Sequence, residues 1–146
     1  ERPWMRNMEV LIDTNVLINY ITNRPDTYLS ESVEMIRLCA ERHLTGYYAF
    51  HSLSTIWYVL RKWPDEQRRM ALGYLCNILH TAVADDSRII EAVSNREFSD
   101  FEDCLQAVCA EDVGADYIVT CNIRDFSSSV VPAVTPKELL QIILKR

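Results

Sequence analysis

The chain has 146 residues, 49% of them apolar and 25% charged, with only 3 Gly. That length and apolar content suit one domain with a packed core and exclude a disordered or low-complexity chain. A net charge of -6 and a pI near 5.0 exclude a protein that coats nucleic acid by bulk electrostatics. They leave room for a carboxylate-built metal centre, or for a basic partner.

Residues 1–7 read as an N-terminal extension or cloning remnant, and residues 8–146 as a single domain, with Met5 or Met8 as the expected native start. The extension has no apolar centre, so no signal peptide is expected. No apolar run reaches the roughly 20 residues of a membrane span. The expected location is therefore cytoplasmic, with no membrane partner. Val10 to Asp13 is a short buried strand, followed by a helix over Val16 to Ile21 that ends before Pro25. Ser30 to Arg42 has apolar residues at Val33, Ile36 and Leu38 between charges, as in an amphipathic helix. Tyr47 to Phe50 is the second strand, and Ser52 to Lys62 a largely apolar helix. Pro64, Asp65 and Glu66 open the next helix, with Pro at its first position and acids in its first turn. Thr81 to Ala84 is the third strand, and Asp85 or Asp86 caps a helix to about Asn95.

Ser99 and Glu102 form a capping-box pattern for a helix that runs to Val113 and stops at Gly114. Tyr117 to Thr120 is the fourth strand. Val130 to Val134 is a last strand whose Pro132 predicts an edge. Thr135, Pro136 and Glu138 open the final helix. Strands alternate with helices throughout, which predicts an α/β fold with a parallel sheet and right-handed crossovers. The five Cys (39, 76, 104, 109 and 121) contain no Cys-x-x-Cys pair, and His43, His51 and His80 are scattered. The cysteines read as reduced core residues rather than a zinc site.

Asp13 closes the first strand, so it falls at the carboxyl edge of a parallel sheet, where open α/β folds bind ligands. An Asp there could equally turn the chain and cap the next helix. Asn122 and Asp125 follow the fourth strand and share that edge, whereas Asp116 precedes the strand and lies at the opposite one. Asp100 and Asp103 stand three apart at a helix start and share a face, flanking the apolar stripe of Phe101, Cys104, Leu105 and Val108. Acids in a first turn also suit the helix dipole, and Glu102 is assigned to capping. Several carboxylates within about 5 Å repel by roughly 3 kcal/mol per pair at an effective dielectric near 20. They ionise together only beside a cation. Oxygen donors alone suit Mg²⁺ or Mn²⁺, which can activate water and neutralise a phosphodiester.

Three strings carry a resemblance: Ile12-Asp13-Thr14-Asn15, then DFEDCLQ from Asp100 to Gln106, then TCNIRDF from Thr120 to Phe126. In this order and spacing, from about Met8 to Leu144, the chain resembles PIN domains, the metal-dependent ribonuclease fold of VapC-type toxins. The resemblance implies a three-layer α/β/α architecture with a central parallel sheet of four to five strands. It implies Asp13, Asp103 and Asp125 as catalytic acids, and Asp13, Asp100, Asp103, Asn122 and Asp125 as metal ligands. Asn15, Ser54, Thr55 and Thr120 take supporting places. The implied function is metal-dependent cleavage of single-stranded RNA, with an antitoxin protein and a second copy of the chain as expected partners.

One departure stands out. Active members usually carry a Glu in the helix after strand two, yet Ser52 to Lys62 contains no acid. Ser54 or Thr55 is expected near the missing carboxylate. Arg61 and Lys62, with Arg68 and Arg69 flanking Trp63, form the basic concentration that could grip a single strand, or simply a solvated helix end. Trp57 and Tyr58 are expected in the core or a dimer interface. A receiver domain and a haloacid-dehalogenase phosphatase both need acids that this chain lacks at its first strand. The rival that remains is a PIN-like domain that binds RNA or protein without cutting.

Overall fold

The fold is known from a computed structural model that describes residues 6–146. The expected start at Met5 and most of the N-terminal extension lie outside the described residues. In chain order the elements are β1 Glu9–Ile12, α1 Thr14–Thr22, α2 Leu29–Ala40, β2 Thr45–Ala49, α3 Ser52–Val59 and α4 Asp65–Ile78. There follow β3 His80–Ala82, α5 Asp86–Ser94, α6 Phe101–Val113, β4 Tyr117–Val119, a 3-10 turn Ile123–Phe126, β5 Ala133–Val134 and α7 Pro136–Leu144.

All five strands pair in parallel in the order β3-β2-β1-β4-β5, so β1 is central. The expected α/β/α sandwich is present. Alternation along β1 sends Val10 and Ile12 to one face and Leu11 to the other. The first face packs against α1, α2, α3, α4 and α7; Leu17, Met35, Ile36, Ile56, Leu75 and Leu139 are all fully buried there. The second face packs against α6, through Ala107, Cys109 and Ala110, with α5 outside it. Small side chains on α6 let its backbone approach the sheet closely. Gly46 does the same for α2 on β2: a Cβ there would lie 2.7 Å from Cys39 Sγ and from a Leu79 methyl.

The differences from expectation have local causes. Helix α3 stops at Val59 rather than Lys62, because buried Leu60 leaves helical geometry and Pro64 disfavours helix at Trp63. Pro64 itself is the cap of α4 rather than its first residue. β5 is two residues long, since Pro132 has no N–H to give the ladder; its carbonyl still accepts from the Ile118 N–H at 2.9 Å. Helix α6 is capped by Asp100, whose side chain accepts from the Asp103 N–H at 3.1 Å, and not by Ser99. A charged acceptor gains more from the helix dipole than a hydroxyl does. At α7 the expected capping box is formed by Thr135 and Glu138. Among the cysteines, Cys39, Cys104 and Cys109 are buried, but Cys76 is exposed and Cys121 half-buried, so the core reading holds for three.

Candidate active site

β1 ends at Ile12, and Asp13 follows at the carboxyl edge of the central strand, tied to β4 by its N–H to the Val119 carbonyl at 2.9 Å. Asp13 is only 6% exposed. Its Oδ1 accepts from Gln106 Nε2 at 3.0 Å and its Oδ2 from Thr120 Oγ1 at 2.8 Å. The carboxylate is thus turned toward α6 and β4, and it does not cap α1. Burial pushes its pKa up, against the pull of Gln106, Thr120 and the Asn15 backbone. Two side-chain hydrogen bonds therefore offset part of the penalty that burial places on the charged form.

Gln106 is the residue that sequence reasoning missed. It is fully buried, and besides holding Asp13 it accepts from the Thr14 N–H at 3.0 Å and from Thr14 Oγ1 at 3.2 Å. Thr14 Oγ1 in turn meets Ser52 Oγ of α3 at 2.6 Å. A polar side chain inside the run Cys104 to Ala110 was the available signal, because a Gln there is buried only with partners.

Asp103 lies one turn before Gln106 on α6 and is half-buried. Its pKa is pushed up to about 7, first by desolvation and then by the charges of Asp100, Asp13, Asp125 and Glu102. Five acids from three elements thus share one field. None of the ion pairs among the described residues involves Asp13, Asp100, Glu102, Asp103 or Asp125. They are gathered by field rather than by contact: among the described residues, no three His, Cys, Asp or Glu side chains close on a common point as a metal cage. The donor set is oxygen-only and has no Lys or Arg ion pair among the described residues, which fits Mg²⁺ or Mn²⁺ rather than a softer metal.

The other expected site residues are placed as follows. Asn122 and Asp125 are exposed on the turn after β4, where the Asn122 N–H donates to Thr120 Oγ1 at 3.0 Å. Phe126, 2% exposed, anchors that turn to the core. Asp100 serves α6 as its cap while contributing to the field at Asp103. Asn15 is exposed at the first turn of α1. Ser54 is exposed, while Thr55 Oγ1 donates to Glu102 Oε2 at 2.7 Å. Glu102 therefore faces α3 rather than completing a capping box with Ser99. Asp116 sits at the opposite sheet edge, paired with Arg6 at 2.8 Å and accepting from the Glu9 N–H.

Arg61 and Lys62 are exposed beyond the end of α3. The structure does not bring them into the acidic cluster. Arg61 lies over the Tyr58 ring at 4.3 Å, and Arg68 over the Trp57 ring at 3.6 Å. Tyr58 is 63% exposed, so it is no core residue. No helix among the described residues is long and apolar enough to cross a membrane.

With this geometry in view, comparison with solved structures gives matches over nearly the full length. VapBC2 from Rickettsia felis bound to a promoter DNA fragment is similar at 19% identity and a TM-score of 0.68, covering 88% of this chain and 98% of that one. A toxin-antitoxin complex from Klebsiella pneumoniae is similar at 18% identity and 0.65, covering 87% and 97%. The sarcin-ricin loop cleaving toxin VapC20 from Mycobacterium tuberculosis is similar at 16% identity and 0.64, covering 87% and 99%. At these identities the likeness is one of fold. No curated protein sequence matches the chain. A family model described as PIN domain matches residues 9–124, a span that holds Asp13, Gln106, Asp103 and Asn122. The chain belongs to the PIN domain family.

Proposed function

We propose that this chain is a divalent-metal-dependent endoribonuclease acting on single-stranded RNA, and the toxin of a toxin–antitoxin pair. The observation that carries the reading is Asp13: a buried carboxylate at the central strand's carboxyl edge, clamped by Gln106 and Thr120, in reach of the charge of Glu102 and itself one of four acids whose charges act on Asp103. Asp13, Asp103 and Asp125 would hold Mg²⁺ or Mn²⁺, with Asn122 and Asp100 supplying further oxygens. Such an ion, when bound, activates water and offsets phosphodiester charge. Asp13 has one task, to present oxygens in a fixed direction; Gln106 and Thr120 hold that direction. Asp103 would hold the ion in its deprotonated form, since the neighbouring charges that favour its proton would also favour a cation there. Arg61 and Lys62 would contact backbone phosphates of a strand leaving the site along α3.

The toxin part of the proposal is supported by the fold shared with the R. felis, K. pneumoniae and M. tuberculosis proteins. Exposed apolar side chains such as Met70, Ile90 and Val93 offer surface to an antitoxin or to a second copy. The absence of an acid from α3 favours a second reading, a PIN domain that binds RNA or protein without cutting. The deciding experiment is cleavage of a mixed RNA pool with Mn²⁺ by wild type, Asp13→Asn and Asp103→Asn. Cleavage that both substitutions abolish supports the nuclease. Binding without cleavage that differs from the two variants supports the second reading.

A further inference from the structure

Opposite the stretch of α3 that lacks an acid stands one carried by α6. On α3, Ser52 and Thr55 are three apart and share a face; on α6, Glu102 and Gln106 are four apart and share a face. The two stripes meet in two rungs. The inner rung runs from Gln106 through Thr14 to Ser52, at 3.2 and 2.6 Å. The outer rung is Thr55 Oγ1 donating to Glu102 Oε2 at 2.7 Å. Glu102 therefore stands one helical turn above the side chain that clamps Asp13, and beside Asp103. Its charge is felt at Asp13, at Asp103 and at His51. Oε1 of Glu102 accepts no hydrogen bond among the described residues, so one oxygen is held by Thr55 and the other keeps its lone pairs unused.

We propose that Glu102 is the fourth acidic group of the metal site, contributed by α6 and positioned by Thr55 of α3. The proposal rests on the metal-dependent reading above. It gives Thr55 a physical role as well: its hydroxyl orients a carboxylate where a Glu on α3 would have brought its own.

The test is a Mn²⁺ titration by calorimetry, independent of catalysis, on wild type, Asp103→Asn, Glu102→Gln, Thr55→Val and Glu102→Gln/Thr55→Glu. Gln keeps an acceptor for the Thr55 hydroxyl, so Glu102→Gln removes the charge and leaves the rung intact. We expect the Mn²⁺ dissociation constant to rise about tenfold or more in Glu102→Gln and about tenfold in Thr55→Val. Moving the carboxylate to α3 in the double variant should restore affinity to within about threefold of wild type. Circular dichroism melts establish that each variant is folded; should Glu102→Gln fail to fold, Thr55→Val carries the test alone. If Asp103→Asn weakens binding while Glu102→Gln and Thr55→Val leave it unchanged, Glu102 is structural and this proposal falls by itself. If wild type takes up no Mn²⁺, the metal-dependent reading and this proposal fall together.

Discussion

Asp103→Asn should stabilise the metal-free protein, and this is the sharpest consequence of the site's electrostatics. The side chain of Asp103 accepts no hydrogen bond among the described residues; its backbone N–H does the work of meeting the Asp100 cap. The substitution therefore costs no contact and removes one of five crowded charges. Burial and the neighbouring acids push its pKa up to about 7, against an ordinary value of about 3.9. Taken at face value that difference is about 4 kcal/mol of destabilisation at about pH 8. Asp103 is partly exposed, and solvent screening brings a working figure of about 1–2 kcal/mol. For a chain of this size that raises the melting temperature by about 3–7 °C. The sign with pH follows from a folded pKa above the unfolded one. The favourable contribution is fully present below the unfolded value near 4 and is lost as pH rises through about 7. The gap between variant and wild type should thus open between about pH 4 and pH 8 in EDTA, and close again when millimolar Mn²⁺ stabilises wild type alone. The assay is calorimetric melting across that range. A variant that melts below wild type at about pH 8 in EDTA would refute the claim that Asp103 is held in an uncompensated acidic field.

The same displacement makes Mn²⁺ affinity climb by up to about tenfold per pH unit below about 7 and level off above it, measured by titration; a flat profile would remove Asp103 from the ligand set. Gln106→Leu deletes the donor to Asp13 and the acceptor for Thr14 while keeping the volume, and should cost about 2–4 kcal/mol in urea unfolding and abolish RNA cleavage. Thr120→Val removes one donor to Asp13 in a near-isosteric change and should cost about 1–2 kcal/mol by the same measurement. Gly46→Ala drives a methyl into Cys39 and Leu79, so a loss of about 1–3 kcal/mol is expected with cleavage and metal affinity retained in the folded fraction.

Much of the architecture could be read from the chain because its signals are local. The run Val10 to Ile12, the cap at Thr135 and the stop at Gly114 each act through neighbours within a few residues. The parallel sheet followed from alternation, and the sheet edge of Asp13, Asn122 and Asp125 followed from which end of a strand each residue occupies. Boundaries were less legible where two good residues compete, as Ser99 and Asp100 do for one cap. The side-chain network was not legible at all. Thr55 meets Glu102 across 47 positions, and Gln106 meets Asp13 across 93. No local pattern encodes such pairs; they exist because α3, α1 and α6 converge on one sheet edge. What the chain did signal was an anomaly, a Gln inside the apolar run of α6 and an acid absent from α3.

Those two anomalies have a common physical origin. Helix α6 packs on the sheet through Ala107 and Ala110, so its first turns sit close above the edge where Asp13 emerges. A helix that close can reach the site from several of its residues: Asp103 faces the acids, Gln106 reaches down to the buried carboxylate, and Glu102 reaches across to α3. Neutral donors fix Asp13 from below, and charge accumulates above it, on the exposed Asp100 and Asp125 and the half-buried Asp103. Were the neutral clamp and the charges exchanged, the buried position would hold repelling carboxylates without partners and the fold would lose several kcal/mol. The division between a satisfied floor and an unsatisfied rim thus lets one small core carry five acids and remain folded. It also leaves the rim short of positive charge, and the crowding of the acids is what would draw the proposed cation to it.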